Sequence, residues 1–281
     1  MVGNQKIESA EGNDSGSARA YGLSQAFDIR RGEVISLVGG GGKTTLMFAL
    51  AHELALRGEA VITTTTTRIF EPSASETFLI LEPDEEKTLA SLHKALEKHG
   101  HITLATERFL PDGKLKGVRP EFVTVLAELK HVSYVIVEAD GAARKPLKAP
   151  NDNEPVIPQN TSLVIPIVGI DALGSKLARK NVFRPEIISR LTGLPIGAVV
   201  SADAVATLMT HPEGIIKGSP AHARIVPLIN KMDLDKGLSK SEDLASKILE
   251  KRHPQIERVV LGRVQFPEQV VRIVLAGENG T

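Results

Sequence analysis

The strongest chemical signal in the sequence is a run of glycines followed by a lysine and two threonines. An apolar run at 34–38 leads directly into Gly39, Gly40, Gly41, Gly42, Lys43, Thr44 and Thr45. Glycines allow backbone N–H groups to approach phosphate oxygens, and the N-terminus of a following helix adds partial positive charge. The pattern predicts a phosphate loop in which Lys43 reaches the terminal phosphates of a nucleoside triphosphate and the Thr44 hydroxyl completes the coordination of Mg²⁺.

This loop is shorter than the common phosphate-binding motif, in which four residues separate the first glycine from the Gly-Lys pair. The position of that first glycine is Leu37 here, so the loop has the form Gly-x-x-Gly-Lys-Thr starting at Gly39. A similar short loop occurs in the amide-forming Mur ligases. Because a short loop surrounds less of the β-phosphate, we expect other loops to help hold the nucleotide.

Two carboxylates, Glu138 and Asp140, stand at the end of a second apolar run at 134–137. In phosphate-loop proteins such a strand lies beside the loop, and its acid orients Mg²⁺. Alternation along a strand places both carboxylates on the same face. We predict that Asp140 binds the metal together with Thr44 and that Glu138 supports the metal or orients the attacking water. Both carboxylates are predicted to act in catalysis with Lys43.

A third motif, Asn-Lys-Met-Asp at 230–233, follows an apolar run at 225–229. In nucleotide switches such a motif reads guanine: the asparagine faces the purine edge, the lysine stem covers the base, and the aspartate accepts from the ring N–H and the exocyclic amine. This interpretation assigns those roles to Asn230, Lys231 and Asp233 and favours GTP over ATP. An adenine-binding or unselective site and a plain turn remain open alternatives.

Two weaker features flank these motifs. The threonine run at 63–67, followed by Arg68, fits an ordinary strand as well as it fits hydroxyls that meet Mg²⁺ or the γ-phosphate. Arg144, Lys145 and Lys148 follow the acidic strand. They could neutralise phosphate charge or bind an anionic cofactor, or they could form a solvated basic loop.

Composition limits the classes of function. The 281 residues contain 34 basic and 34 acidic side chains, so no net field attracts nucleic acid. There is no cysteine, which excludes disulfides and thiolate metal sites. No apolar run approaches the roughly 20 residues that cross a bilayer. We expect a cytoplasmic protein that binds neither nucleic acid nor membrane.

Short apolar runs alternate with helical patterns, which predicts a P-loop NTPase-like α/β fold with a mostly parallel sheet and helices on both faces. We expect a disordered leader at 1–20 and a single domain at 21–281, with a long proline-rich loop excursion at about 141–184. Strands are predicted at 34–38, from 61 into the threonines, and at 78–81, 102–105, 134–138, 163–168, 225–229, 259–261 and 271–275. Helices are predicted at 44–57, 85–98, 121–129, 186–191 and 241–252.

Taken together, these residues resemble the YqeC family, the accessory proteins of selenium-dependent molybdenum hydroxylases. The resemblance runs from about 34 to 274 and includes the block 138–158, which is more distinctive than a phosphate loop alone. The matching segments are 36–44, the threonine run ending in Arg68 and Ile69, 138–142, Lys-Pro-Leu-Lys-Ala-Pro at 145–150, Glu-Pro-Val-Ile-Pro at 154–158, Val-Phe-Arg-Pro-Glu at 182–186 and 230–233. The resemblance implies nucleotide binding and a role in maturing such a hydroxylase, with a client hydroxylase or a cofactor-maturation protein as partner.

Three functions are compatible with these motifs. The first is a Mg²⁺-dependent nucleoside triphosphatase, using GTP or ATP, that serves as a maturation factor. The second is a small-molecule phosphotransferase or an ATP-dependent ligase with a Mur-like short loop. The third is a module that binds nucleotide without hydrolysing it and uses it to order a loop.

Overall fold

The structure is a computed structural model that describes residues 21–110, 113–235 and 238–277. The leader expected at 1–20 lies outside these residues. The helices are α1 (Leu23–Ala26), α2 (Lys43–Leu56), α3 (Glu85–His99), α4 (Pro120–Ala127), α5 (Pro185–Thr192), α6 (Ala202–Thr210) and α7 (Ser239–Glu250). The strands are β1 (Val34–Gly39), β2 (Val61–Thr65), β3 (Arg68–Phe70), β4 (Phe78–Leu81), β5 (His101–Ala105), β6 (Glu107–Phe109), β7 (Lys114–Lys116), β8 (Tyr134–Glu138), β9 (Leu163–Gly169), β10 (Arg224–Ile225), β11 (Leu228–Asn230), β12 (Arg258–Gly262) and β13 (Val270–Leu275).

A large sheet organises the molecule. Its strands follow the order β13-β12-β11-β9-β1-β8-β2-β5-β4, and β10 pairs with β9 beside this path. Every pairing is parallel except that of β12 with β13. Strand β1 lies between β8 and β9, with Leu37 level with Glu138 and Gly39 level with Ile167. The predicted α/β fold with a mostly parallel sheet is confirmed, and the acidic strand lies directly beside the strand that leads into the glycines.

Alternating side chains of the strands enter apolar layers on the two faces of the sheet. In β1, Ile35 and Leu37 belong to the layer that contains Leu46 and Leu50 of α2. Val38 belongs to the opposite layer, which also contains buried residues of α6 and α7. Helices α3 and α4 pack in a further cluster with side chains of β2, β5 and β8. Helices therefore cover both faces, as predicted, and hold β1 rigidly at the centre.

The strand predicted at 163–168 is confirmed as β9, which is fully buried and divides the expected loop excursion at 141–184 into two segments. Another predicted strand differs from the structure, and the difference has a physical cause. The strand predicted at 225–229 is split into β10 and β11 on either side of Pro227, because proline lacks the N–H that a continuous ladder requires.

The sequence patterns did not predict a second, small sheet or helix α6. The small sheet is antiparallel, in the order β3-β7-β6, and its strands have three residues each. Single apolar residues such as Ile69 and Leu115 anchor it in the core. Strands of three residues are too short for an alternation of apolar and polar residues to be detected in the sequence. Helix α6 does carry a signal, because Ser201 caps it by accepting from Ala204 N at 3.2 Å. Among the described residues, no helix is both long enough and apolar enough to cross a membrane.

Candidate functional site

The carboxyl ends of five neighbouring parallel strands meet at one edge of the sheet. Strands β2, β8, β1, β9 and β11 end there at Thr65, Glu138, Gly39, Gly169 and Asn230. Ligands of open α/β sheets bind in crevices outside the carboxyl ends of the strands. The fold therefore brings the three predicted motifs to one place although they are distant in sequence.

A cavity of about 330 Å³ opens at this edge. It falls within the size range of roughly 300–1,000 Å³ that is usual for small-molecule sites. All the predicted site residues except Gly39, Gly40 and Asp140 line it. The lining includes Gly41, Gly42, Lys43, Thr44, Thr45, Glu138, Asn230, Lys231 and Asp233.

Backbone contacts fix the glycine loop against its neighbours. The N–H of Gly40 donates to Ile167 O at 2.9 Å, and the N–H of Gly41 donates to Lys145 O at 3.0 Å. Gly41 has φ +87°, and a Cβ atom there would lie 2.3 Å from the nitrogen of Gly169. Only glycine fits this position, so the close approach of β9 explains the composition of the loop.

Helix α2 begins immediately after the glycines, at Lys43. The first N–H groups of a helix have no acceptor within the helix, and they carry partial positive charge. Those of Lys43, Thr44 and Thr45 belong to residues that line the cavity. The start of α2 can therefore bind phosphate oxygens through its backbone.

The side chain of Lys43 lies beneath the loop, where 4 % of it is exposed. Its Nζ donates to Gly39 O at 2.6 Å and lies 3.2 Å from Asp140 Oδ1 and 3.7 Å from Glu138 Oε1. Burial acts to lower the pKa of Lys43, but the two carboxylates outweigh it and raise the pKa. Lys43 is therefore a cation at neutral pH, held where the loop meets the acidic strand.

Glu138 contacts the first turn of α2. Thr44 Oγ1 donates to Glu138 Oε2 at 2.7 Å. Burial raises the pKa of Glu138, although Lys43 and the Thr44 hydroxyl act in the opposite direction. The hydroxyl of Thr44 and the carboxylate of Glu138 therefore lie side by side in the wall of the cavity. Mg²⁺ prefers oxygen ligands of this kind.

Asp140 lies on the other side of Lys43. It is 1 % exposed, and its Oδ2 accepts from Gly39 N at 3.0 Å and lies 3.0 Å from Lys148 Nζ. The structure thus brings Glu138, rather than Asp140, next to Thr44. Two lysines and a backbone N–H surround Asp140, an arrangement suited to fixing the start of the loop.

These contacts form part of a longer ion-pair chain of alternating sign, which we define as Glu138, Lys43, Asp140, Lys148, Glu154 and Arg184. Beyond Asp140, Lys148 Nζ lies 2.7 Å from Glu154 Oε2, and Arg184 Nη1 lies 2.6 Å from the same oxygen. Burial acts to raise the pKa of Glu154, but hydrogen bonds from Arg184 and Lys148 reverse the effect and lower it. Lys148 is 1 % exposed, so the solvated-loop alternative is wrong for this residue.

Asn230 ties the third motif to the glycine loop. Its side-chain Nδ2 donates to Gly41 O at 2.8 Å, and its Oδ1 accepts from Val264 N at 3.1 Å. The side chain is buried, and it links the loop to the segment that follows β12. Val264 also lines the cavity, so the contact positions two walls of the site at once.

The other two residues of this motif lie at the rim of the cavity. Lys231 has a left-handed backbone, with φ +65°, and its Nζ lies 2.7 Å from Asp171 Oδ2. Asp233 is exposed and lines the cavity. The buried Asn230 does more than a plain turn requires, because its two hydrogen bonds fix the glycine loop against the segment after β12.

The threonine run divides between the sheet and its edge. Thr64 Oγ1 donates to Leu104 O at 2.9 Å and Thr65 Oγ1 to Glu138 O at 2.6 Å, so these buried hydroxyls support the strands. Thr66 and Thr67 come after β2, and Thr66 Oγ1 donates to Val156 O at 2.6 Å. The structural interpretation therefore holds for the part of the run inside β2.

Sequence reasoning missed a third wall of the cavity. The small sheet and the segment after β12 contribute Arg68, Phe70, Lys114, Arg263 and Gln265. The guanidinium of Arg144 lies over the Phe70 ring at 4.3 Å from its centre. A basic residue at the end of the threonine run, Arg68, was the one available signal.

The residues present fit a magnesium ion that is shared with a phosphate. Among the described residues, no cluster of three or more His, Cys, Asp or Glu side chains could hold a metal by itself. Mg²⁺ is usually bound through one or two carboxylates plus substrate phosphates and water rather than by an all-protein cage. Thr44 and Glu138 are the residues that could hold such an ion.

Two comparisons identify relatives of the chain. A family model described as YqeC protein matches residues 35–186, which include most of β1, the glycine loop, β8, β9 and the ion-pair chain. The protein named "Uncharacterized protein YqeC" from Escherichia coli (strain K12) is 32% identical over 243 residues, covering 86% of this chain and 92% of that protein. The chain belongs to the YqeC family.

Proposed function

We propose that the protein binds a nucleoside triphosphate with Mg²⁺ at the start of α2 and hydrolyses its terminal phosphate. The observation that carries this proposal is the contact between Thr44 and Glu138 at 2.7 Å, with Lys43 beside the same carboxylate. A hydroxyl, a carboxylate and a lysine at a helix N-terminus are the groups that phosphoryl transfer requires.

Each group has a distinct task in this proposal. The backbone N–H groups at the start of α2 bind phosphate oxygens, and Lys43 balances the charge of the terminal phosphates. Thr44 and Glu138 would hold Mg²⁺, which would supply further charge neutralisation. In the reaction, a water oxygen forms a bond to the γ-phosphorus and the bond to the β,γ-bridging oxygen breaks, giving nucleoside diphosphate, inorganic phosphate and a proton that is released to solvent.

The assignment of Asp140 follows from its contacts. Its carboxylate accepts from Gly39 N and lies close to both Lys43 and Lys148. We assign it to positioning the loop and Lys43, and we assign the metal to Thr44 and Glu138. This revises the interpretation of the sequence, in which Asp140 was the metal ligand.

We propose GTP as the preferred nucleotide. Asn230 is held at the cavity wall by Gly41 and Val264, and Asp233 lines the rim next to it. A carboxylate at that position can accept from the two donors of guanine, whereas adenine offers no such pair. ATP is the alternative nucleotide.

The biological role proposed is the maturation of selenium-dependent molybdenum hydroxylases. Its support is the resemblance of the block 138–158 to the family. That block contains four members of the ion-pair chain: Glu138, Asp140, Lys148 and Glu154. The partner in this role is a client hydroxylase or a cofactor-maturation protein, and hydrolysis that accelerates in its presence is expected.

A small-molecule phosphotransferase or ligase is the second candidate. The observation that favours it is a second, basic cavity that shares Arg68, Lys114, Gly141 and Ala143 with the first. Such a neighbour could hold an acceptor. Turnover that depends on an acceptor and yields a phosphorylated product would favour this candidate over hydrolysis.

Thermal unfolding with GTP, ATP and CTP, each with and without Mg²⁺, tests the proposal. A ligand at 100 times its dissociation constant stabilises the folded state by about 2.7 kcal/mol, which raises Tm by several degrees in a chain of this size. We expect GTP with Mg²⁺ to raise Tm of the wild type and of Lys87→Ala, an exposed control on α3. Lys43→Ala should show no shift.

The outcomes separate the parts of the proposal. An equal or larger shift with ATP would overturn the guanine assignment and favour the second candidate. Absence of any shift would overturn nucleotide binding itself. If Lys43→Ala does not fold, Thr44→Val serves in its place, because it removes one hydroxyl and leaves the charges in place.

A further inference from the structure

A second cavity, of about 620 Å³, lies beside the candidate nucleotide site. We call it the basic cavity. The small sheet, the segment after β7, the segment after β8 and the segment before α5 form its walls. The lining residues that matter below are Arg68, Phe109, Lys116, Glu154, Phe183 and Arg184.

The lining is basic. Five lining side chains are Arg or Lys, and Glu154 is the one carboxylate among the lining residues. Two of the five are already paired, Arg119 with Glu85 at 2.6 Å and Arg184 with Glu154 at 2.6 Å. The charge of Glu154 is already balanced, because Lys148 and Arg184 both lie within 2.7 Å of its Oε2. Arg68 and Lys116 pair with no carboxylate among the described residues, so the basic cavity keeps a positive charge that favours an anion.

Aromatic rings hold two of the arginines in place. The guanidinium of Arg68 lies 3.9 Å from the centre of the Phe109 ring, and that of Arg184 lies 4.5 Å from the centre of the Phe183 ring. Stacking orients a planar guanidinium while leaving its N–H edge able to bind an oxyanion. The two guanidinium groups are thereby oriented at the wall of the basic cavity.

The backbone at the cavity is also held in an uncommon conformation. Arg184 has φ +60° and Ala143 has φ +47°, both in the left-handed region that favours glycine. Non-glycine residues in this region cost free energy and occur most often at functional sites. Both residues line the basic cavity, which provides an observation independent of charge.

We infer that the basic cavity binds a small organic phosphate, as a second ligand next to the nucleotide. A phosphate carries up to two negative charges and several acceptor oxygens, which suits the guanidinium of Arg68 together with the charge of Lys116. The volume exceeds what inorganic phosphate alone needs and suits an organic molecule of moderate size. This inference concerns binding and does not require that the nucleotide is hydrolysed.

The ion-pair chain connects the two cavities. Arg184 and Glu154 line the basic cavity, Lys43 and Glu138 line the nucleotide site, and Asp140 with Lys148 joins them. An anion that draws Arg184 away from Glu154 changes the charge balance around Lys148 and Asp140. We therefore expect occupancy of the basic cavity to alter nucleotide affinity, and by reciprocity the nucleotide to alter the second affinity by the same factor.

Calorimetric titration with pyrophosphate tests the inference. In one arm the wild type is first saturated with a non-hydrolysable GTP analogue and Mg²⁺, so that added pyrophosphate reports on the basic cavity. In the other arm Lys43→Ala is titrated without nucleotide. We expect one pyrophosphate to bind per chain in each arm. This second arm keeps the test separate from the proposed function, because binding of pyrophosphate to the basic cavity is expected even if the first site binds no nucleotide.

Variants locate the binding site. Arg68→Gln and Arg184→Gln should each weaken pyrophosphate binding at least tenfold, whereas Arg31→Gln should leave it unchanged. Arg31 is a suitable control because it is 71 % exposed and precedes β1, at the opposite edge of the sheet. Since Arg184 also pairs with Glu154, the exposed Arg68 keeps the test decisive if Arg184→Gln does not fold. Absence of binding in both arms, or affinity unaltered in Arg68→Gln, would overturn the inference.

Discussion

The hydroxyl of Thr44 donates to the carboxylate of Glu138 at 2.7 Å, and this bond joins the first turn of α2 to the last residue of β8. The two residues are 94 positions apart in sequence. The parallel pairing of β1 with β8 places Leu37 level with Glu138, so the strand register sets the position of the carboxylate relative to the helix that follows the glycine loop. A rigid sheet therefore determines the geometry of the proposed metal site.

Thr44→Val should abolish most of the Mg²⁺-dependent hydrolysis while preserving the fold. Valine has nearly the same shape but no oxygen, so the metal loses one ligand. We expect a decrease in kcat of about 10²-fold or more, the effect typical of removing one group that stabilises developing charge. Phosphate release at saturating Mg²⁺ measures it, with Thr207→Val on α6 as the control. Unchanged turnover in Thr44→Val would contradict the assignment.

Glu138→Gln should separate stability from function. Because burial raises the pKa of Glu138 in the folded state, ionisation of this group costs stability as pH rises above its ordinary value of 4.5. Glutamine removes that cost and can still accept from Thr44. We expect a higher Tm at pH 7, where about 1 kcal/mol corresponds to roughly 2–4 °C in a chain of this size, together with loss of Mg²⁺-dependent hydrolysis.

The control for this variant is Glu97→Gln on α3, a change at a side chain that is 66 % exposed. We expect it to change neither Tm nor turnover appreciably, since exposed ion pairs contribute little. A lower Tm in Glu138→Gln would mean that the carboxylate stabilises the fold through Lys43 and would remove the argument that it is kept for function.

Gly41→Ala should destabilise the loop through a steric clash. The added Cβ would lie 2.3 Å from Gly169 N, and the backbone has φ +87°. Gly174→Ala is a matched control, because Gly174 has φ +78° but no atom within 4 Å of an added Cβ. The control should lose about 1–2 kcal/mol of unfolding free energy from backbone strain alone. Gly41→Ala should lose more in chemical denaturation and should not bind nucleotide; equal losses would show that the clash is relieved easily.

Much of this fold could be predicted from local patterns in the sequence. Strand β1, the glycines and helix α2 follow one another within 23 residues, and each has its own signal: an apolar run, residues that allow positive φ, and helical spacing. Strand β8 ends at Glu138 as predicted, because its apolar run ends there. These elements needed no information from distant parts of the chain.

The contacts of the two carboxylates could not be predicted in the same way. Alternation along a strand applied to Glu138 but not to Asp140, since β8 ends before Asp140 and the chain turns towards Gly39 N. Likewise, Lys148 resembles a solvated residue in a basic segment until Asp140 and Glu154 are placed beside it. In both cases the contacts are made with residues distant in sequence, and neither composition nor hydrophobic periodicity predicts such contacts.

Asp233→Asn should change the base preference. The proposal has the Asp233 carboxylate accept from the ring N–H and the exocyclic amine of guanine. An asparagine offers one acceptor and one donor, which matches xanthine, where a carbonyl replaces the amine. We expect GTP affinity to fall by at least tenfold and XTP affinity to rise, as measured by competition binding. Asp152→Asn, at an exposed position, is the control, and an unaltered preference in Asp233→Asn would overturn guanine recognition.

His101→Gln should flatten the loss of stability in mild acid. Burial and the nearby His52 lower the pKa of His101 to about 4 from its ordinary value of 6.5, and its Nε2 lies 3.0 Å from Thr63 Oγ1. The unfolded chain therefore binds a proton at higher pH than the folded chain, so the stability that the neutral ring contributes is lost as pH falls from 6.5 towards 4. A shift of that size corresponds to ~3 kcal/mol.

Glutamine keeps a hydrogen-bonding group near Thr63 and does not titrate. Unfolding free energies of His101→Gln, measured by urea denaturation across this pH range, should therefore fall less steeply than those of the wild type. Identical slopes would show that His101 titrates alike in the folded and unfolded chains.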